Sequence, residues 1–570
     1  MHNMRNMRSR RRHALWNLLL VGPIVSGLLA TLTPVGPSDA AAFRPLIQQG
    51  HVNYREATVR PSTLCESLRG RVLDSEATIE RAHHIAASDG VPAHCDVVVS
   101  VKATLHVGID LPMMWNQRNY VLGNGGFGGG SVESAAAIAE RDSVLVNNFT
   151  VASNDDGVPN PPSTYGIWLR DPATLADYSY RAVHLSAVYV KEVADLFYGQ
   201  NAALTYFFGC SDGGREGLIA AQRFPADYNG IVAGAAVLAD TDLQLQNTWN
   251  AEVAYPSAPF SPAQTNTIAT AVLAKCGETL NGTPDGIVAD PRLCKFNPDK
   301  DIPKCTGSGS GSGSANCLTQ AQIDAYKSMI YGPVSKGQQY FPGMPVGSEG
   351  NWVNAVVPSS PGATTYQALL GEAWVQYALG YRTGRQFNPA TFNFNTDPYV
   401  DNNLAPIHQI ADATDTNLAP FEHLGGKMIS YVGWADPLVG PWSLVGYYES
   451  VANRMGLQDE LKFYRFFTDP GVAHCGGGAG PDTIDPFSLL VDWVEQGLAP
   501  DTMIASKLSS SGSVLFQRTL CRYPYMGQFI NGDNPLLASS WRCVEGPTGV
   551  PLQGYPLRDP FDSRYHEISP

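Results

Sequence analysis

The chain has 570 residues, 44% of them hydrophobic, and carries 52 acidic against 38 basic side chains, for a formal charge of −14. That length can bury a large core, and an acidic surplus of this size argues against a protein built to hold nucleic acid. Beyond residue 42 no apolar run is long enough to span a bilayer.

Residues 1–42 read as a secretory signal peptide: Arg5, Arg8, Arg10, Arg11 and Arg12 precede an apolar stretch from Ala14 to Val35, and Ala40, Ala41 and Ala42 close it. Pro23, Gly27 and Pro34 interrupt the stretch, which disfavours a membrane anchor. Arg11-Arg12 also matches a twin-arginine signal, although an arginine-rich leader explains the pair without one. Cleavage near Ala42 removes five arginines and one aspartate, leaving 33 basic and 51 acidic side chains and a formal charge of −18. Such a chain is expected to be secreted or periplasmic. All ten cysteines lie beyond the cleavage site, and an even count in an exported chain predicts five disulfides. Spacing suggests Cys276 with Cys294, Cys305 with Cys317 and Cys521 with Cys543; Cys65, Cys95, Cys210 and Cys475 are the others. No CxxC pair or HExxH segment is present, so zinc chemistry is not expected.

From 43 to 237 short β-branched or aromatic runs (Cys95–Val101, Tyr120–Leu122, Ser143–Val146) alternate with helical patterns, which predicts a largely parallel sheet. Tyr180–Tyr198 has helical spacing and ends at Gly199. From 238 to 417 Pro, Gly and scattered aromatics replace that texture, and an inserted lid domain is expected there. Within it a Gly/Ser run from Thr306 to Ala315 forms a loop between Cys305 and Cys317. From 418 to 570 strand texture returns at Met428–Val432 and Leu461–Phe467, so the sheet resumes after the lid.

Ala203–Phe208 is a buried-strand pattern, followed by Gly-Cys-Ser211-Asp-Gly and then a helical run. Small residues on both sides of a serine at a strand-to-helix turn allow its hydroxyl to project without clash, so Ser211 is the candidate nucleophile. A serine hydroxyl needs a base and an orienting carboxylate. Asp436 follows the strand Met428–Val432 and His474 follows Leu461–Phe467, in the order an α/β-hydrolase uses. Asp469 is the rival carboxylate, with a plainer reading as a turn residue before Pro470. Cys210 precedes the serine and Cys475 follows the histidine. A bond between them would staple the two together, while each could instead be a buried thiol or pair elsewhere. The backbone N–H of Asp212 and that of Gly126, with Gly125 as neighbour, are the candidate oxyanion donors; the glycines belong to a Gly-rich loop after Tyr120–Leu122.

The stretch Tyr180–Gly234, with Gly209-Cys-Ser, Gly213-Gly-Arg215-Glu-Gly and Arg223-Phe-Pro-Ala-Asp-Tyr-Asn-Gly, together with Gly433-Trp-Ala-Asp436-Pro and Ala473-His474-Cys475, resembles the tannase and feruloyl esterase family of α/β-hydrolases. The resemblance implies a disulfide-stabilised α/β-hydrolase fold with a lid, a Ser211–His474–Asp436 triad and a Cys210–Cys475 bond. It also implies a structural calcium ion held by the side chains of Glu278, Asn281 and Asp285 and the carbonyls of Thr283 and Ile287. Asn281 and Glu278 depart from the family's aspartates there, and the neutral Asn281 reduces the charge available to a hard cation. No organic cofactor is implied. The expected activity is hydrolysis of esters of aromatic, phenolic acids, on substrates of plant phenolic or polysaccharide-linked type, with Trp374, Tyr377 and Tyr381 as candidate walls of an aromatic pocket, each of which reads at least as well as lid core. The same resemblance extends to mono(2-hydroxyethyl) terephthalate hydrolase; a general carboxylesterase is a further alternative. A non-catalytic binding protein on this scaffold is disfavoured by the intact triad.

Overall fold

The computed structural model of the chain describes residues 58–158, 165–305, 315–339, 341–380, 384–398 and 404–549. The leader reading of residues 1–42, most of the Gly/Ser run and Tyr381 lie outside the described residues.

Nine strands among the described residues form the central sheet: β1 (Ala77–Ile85), β2 (His94–Val101), β3 (Leu105–Pro112), β4 (Arg118–Leu122), β5 (Thr150–Asn154), β6 (Leu204–Cys210), β7 (Gly230–Gly234), β8 (Lys427–Gly433) and β9 (Tyr464–Asp469). Their spatial order is β1-β2-β3-β5-β4-β6-β7-β8-β9. From β5 through β9 all neighbours are parallel, as the alternating texture predicts. The first three strands depart from it and run antiparallel, as does the β3–β5 pair. The cause is connection length: only Lys102–Thr104 separates β2 from β3, far too little for the crossover a parallel pair requires.

A second correction concerns Ser143–Val146. These residues end helix α1 (Ala135–Leu145), whose first turn is capped by the Ser134 hydroxyl accepting the Ala137 N–H, and the strand comes later, at Thr150–Asn154. A four-residue apolar run does not distinguish the two states. Here the helix buries Val144 and Leu145 against the sheet with Phe149 and Val151.

Central strands are apolar at nearly every position because both faces are covered. Along β6, Phe207 packs into the larger core with Val121 and Ile231, while Tyr206 and Phe208 pack into the opposite one with Tyr120 and Val232. Helices α2 (Ala182–Tyr198) and α3 (Asp212–Arg223) cover the first of these faces.

Between β7 and β8, which are neighbours in the sheet, the chain departs through several helices and short hairpins before returning. Helix starts there follow local rules: Ser261 with Gln264 and Thr319 with Gln322 each form a reciprocal capping box. This stretch has an apolar core of its own, including Phe260, Ile268, Ile323, Tyr326 and Trp352. After β9 the chain adds two hairpins, β10 (Thr502–Leu508) with β11 (Val514–Cys521) and β12 (Tyr525–Phe529) with β13 (Trp541–Glu545). Five disulfides are present: Cys65–Cys95, Cys210–Cys475, Cys276–Cys294, Cys305–Cys317 and Cys521–Cys543. All three pairs suggested by spacing are among them. No helix among the described residues is long and apolar enough to cross a membrane.

Candidate active site

Ser211 stands at the turn between β6 and α3 with φ 66° and ψ −123°, a region that L-residues adopt only where the surroundings impose it. The turn requires small neighbours: a Cβ at Gly209 would lie 2.4 Å from the carbonyl carbon of Gly213, and one at Gly213 would lie 2.8 Å from the Asn124 carbonyl oxygen. The Ser211 N–H donates to the Gly234 carbonyl at 3.0 Å, tying the turn to the end of β7.

His474 and Asp436 come from the loops that follow β9 and β8. The Ser211 hydroxyl lies 2.7 Å from His474 Nε2, and His474 Nδ1 lies 2.8 Å from Asp436 Oδ2. The second carboxylate oxygen, Oδ1, accepts the N–H groups of Leu438 (2.8 Å) and Val439 (2.9 Å). With both oxygens engaged as acceptors, Asp436 fixes Nδ1 as the protonated ring nitrogen and leaves Nε2 to accept from the serine. Asp469, the rival carboxylate, is buried at the end of β9, while the carboxylate hydrogen-bonded to His474 among the described residues is that of Asp436; burial pushes the Asp469 pKa well above the ordinary carboxylate range. Cys210 and Cys475 are bonded, with Cα atoms 6.0 Å apart.

Two sets of backbone N–H groups adjoin the serine turn: that of Asp212, and those of the glycine arm, whose Asn124 carbonyl accepts the Gly213 N–H at 2.7 Å. The Asp212 N–H opens α3 and, like those of Gly125 and Gly126, donates to no acceptor among the described residues. Neighbouring N–H groups in the glycine arm are committed: Gly123 to the Phe208 carbonyl, Asn124 to Glu216 and Gly128 to the Gly125 carbonyl. The geometry therefore leaves both Gly125 and Gly126 open. A hydroxyl hydrogen-bonded to a base, with N–H groups left open beside it, has the parts that acyl transfer requires.

Arg215, invisible as a functional residue in the sequence, is fully buried and ties the first turn of α3 in place. Its Nε donates to Asp212 Oδ1 (2.7 Å), and its other nitrogens donate to the carbonyls of Ser179, Tyr178 and Ala411. Burial raises the Asp212 carboxyl, and the guanidinium offsets this only in part. Tyr165 and Tyr366 are further residues that the sequence did not single out: their hydroxyls lie 3.7 and 3.0 Å from where a Gly126 Cβ would be.

The pocket-wall expectations need correction. Trp374 is fully buried, its ring packed against Phe127, so it belongs to the core and cannot line an open pocket. Tyr377 is partly buried, with the Arg170 guanidinium 4.7 Å from its ring centre.

The five residues expected around calcium do not converge on a common centre. Glu278 and Asp285 both pair with the Arg518 guanidinium, Glu278 at 3.2 Å. Asn281 turns away to exchange hydrogen bonds with the Gly532 N–H and the Asp533 carbonyl. Thr283 is exposed, and the Ile287 carbonyl accepts the Glu278 N–H. A positive side chain stands between the two carboxylates, so this arrangement does not fit a calcium ion.

A model of the family described as tannase and feruloyl esterase matches residues 90–544. A relative from Arthroderma benhamiae, described as a probable feruloyl esterase, is 31% identical over 78% of this chain and 83% of its own length. Feruloyl esterase B from Aspergillus niger is 28% identical over 84% of this chain and 95% of its own. The crystal structure of feruloyl esterase B from Aspergillus oryzae superposes with a TM-score of 0.71 at 25% identity, over 84% of this chain and 99% of that one. With the α/β sheet, the serine turn and these likenesses in agreement, the chain belongs to the tannase and feruloyl esterase family and is a carboxylic ester hydrolase.

Proposed function

We propose that the enzyme hydrolyses esters of aromatic, phenolic acids through an acyl-enzyme on Ser211. The observation that carries this reading is the continuous chain from Ser211 Oγ through His474 to Asp436, beside the open N–H groups of Asp212 and the glycine arm. His474 Nε2 takes the hydroxyl proton as Oγ attacks the ester carbon. The carbonyl oxygen becomes an oxyanion held by the Asp212 N–H and by that of Gly126 or Gly125. His474 then passes the proton to the departing alkoxide oxygen, and water, deprotonated by the same nitrogen, releases the acid. Asp436 accepts the Nδ1–H bond throughout and steadies the imidazolium.

Feruloyl esterases among the relatives support an aromatic acyl group, and the partly buried Tyr165 and Tyr366 beside Gly126 supply aromatic surface near the acyl carbon. Residues 238–417, inserted between two neighbouring strands with a core of their own, serve as the lid in this reading. Five disulfides suit a chain that folds in an oxidising compartment, in keeping with export.

The test is a turnover panel of methyl ferulate, methyl gallate, chlorogenate, mono(2-hydroxyethyl) terephthalate and an aliphatic ester, with fluorophosphonate labelling alongside. Ser211→Ala should lose the label and about 10⁴-fold or more in kcat on the preferred aromatic ester. A label that persists in that variant would refute the serine assignment, and preference for the aliphatic ester would refute the aromatic one.

A further inference from the structure

Beneath the glycine arm and the first turn of α3 lie Asp156, Asp212 and Glu216, with carboxylate oxygens within 4.8 Å of one another. Asp156 is fully buried and the other two are 1% exposed. Arg215 is the guanidinium beside them, and it is committed to Asp212 and to main-chain carbonyls. Glu216 Oε2 accepts the Asn124 N–H at 2.7 Å, whereas neither oxygen of Asp156 nor Oε1 of Glu216 meets an N–H or hydroxyl donor among the described residues. Two adjacent anions cannot persist in a dry site without a donor between them.

The pair also touches the arm on both sides of its open N–H groups. A Cβ at Gly128 would fall 2.1 Å from Asp156 Oδ2, and one at Gly123 would fall 2.8 Å from Glu216 Oε2. Asn124, held by Glu216, passes the constraint on: its carbonyl accepts the Gly213 N–H at 2.7 Å, and its side-chain amide donates to Asn154 Oδ1, which in turn accepts the Asp156 N–H. The acids therefore bear on the main chain that presents Gly125 and Gly126.

We infer that Asp156 is kept as a neutral acid donating its proton to Glu216, and that this hydrogen-bonded pair is a positioning device for the oxyanion arm. The inference deepens the acyl-transfer reading and rests on it for the arm's role. Burial first, and then the neighbouring carboxylates, raise both acids: Asp156 well above its ordinary value and Glu216 to about 7. The other charged groups around Asp156 have their own partners. Asp212 pairs with Arg215, Asp155 with His106, and Asp177, packed against Gly157, with Arg181. Folded-state values raised above unfolded ones mean that the stability from the protonated pair is complete below the ordinary carboxylate pKa. It is lost as pH climbs through the raised values of the two acids, of which that of Glu216 is about 7.

The experiment compares wild type with Asp156→Asn and Asp156→Val, measuring melting temperature against pH, kcat and KM on the preferred ester, and the infrared band of a protonated carboxyl. Asp156→Asn retains a donor toward Glu216. It should remove one carboxyl from the protonated-carboxyl band in the wild-type-minus-variant difference spectrum, flatten the fall in melting temperature with rising pH and keep kcat within about threefold, while Asp156→Val should lower kcat about 10²-fold with KM little changed. Superimposable melting profiles for wild type and Asp156→Asn, or equal kcat losses in the two variants, would overturn the inference. So would a stoichiometric metal in the wild type that Asp156→Asn lacks, since a cation would then do the proton's work. The band and the melting profiles need no substrate, so they still report on the shared proton if wild type turns over none of the esters and the functional reading fails.

Discussion

Asp436 uses its two oxygens for separate tasks, one to hold the imidazole and the other to close its own loop through the N–H groups of Leu438 and Val439. An asparagine there keeps the loop, because its carbonyl oxygen still accepts both N–H groups. Its amide, however, turns a donor toward His474 Nδ1, which forces the proton onto Nε2 and removes the acceptor that Ser211 needs. Asp436→Asn should therefore fold with an unchanged melting temperature and lose about 10⁴-fold in kcat at similar KM. A loss in KM alone would show that Asp436 acts in binding and not on the tautomer. At this scale the sequence was informative for the serine, because glycine at 209 and 213 is a local steric demand. It was silent on Arg215 and Asp156, whose roles arise from partners on other elements. Trp374 shows the same limit: an aromatic residue in a lid looks alike in a wall and in a core until Phe127 is seen against it.

The loop from Glu278 to Ile287 shows how one element can retain a pattern and change what holds it. Glu278 and Asp285 keep their carboxylates, but Arg518 on β11 reaches between them, and its guanidinium also lies 4.3 Å from the ring centre of Trp541 on β13. The disulfide Cys521–Cys543 joins these same two strands. The loop is thus anchored to the C-terminal hairpins by a buried cation belonging to the chain itself. A chelator should leave the melting temperature unchanged. Arg518→Met should destabilise the fold by about 3–5 kcal/mol, because two carboxylates then lose their counter-charge. A chelator-induced fall in melting temperature that added calcium reverses would show that an ion, not Arg518, holds the loop. The resemblance implied calcium because its donors lie within ten residues of sequence, whereas the arginine that meets them is separated from Asp285 by 233 positions. Strand β1 to strand β3 illustrates the converse. Their antiparallel turns follow from short connections, yet the apolar runs themselves read the same in either direction.

Across the whole molecule, the sheet brings the serine and the carboxylate to one edge but leaves the histidine with a gap to cross. Ser211 leaves the end of β6, Asp436 follows β8 and His474 follows β9, and the order β6-β7-β8-β9 puts three strand spacings, about 14 Å, between the serine's strand and the histidine's. The loop after β9 must bend back over β8 and β7, and it has little regular structure with which to hold that course. Lys507 secures part of it through Asp482 and the Gly478 carbonyl. Nearest the imidazole, Cys475 is bonded to Cys210 across a sequence separation of 265, and this is the covalent tie between the histidine's loop and the serine's turn. The bond limits the unfolded chain, which corresponds to about 2–4 kcal/mol of stability. Its larger effect is expected on geometry, since an error of about 1 Å between base and nucleophile costs on the order of 10²-fold in rate. Cys210→Ser with Cys475→Ser should therefore keep the sheet and helices by circular dichroism, lower the melting temperature and reduce kcat at least 10²-fold, with KM less affected because the glycine arm and α3 are held by other contacts. Full turnover in the folded double variant would mean that β9, Lys507 and the Asp436 hydrogen bond are enough to carry His474 to the serine.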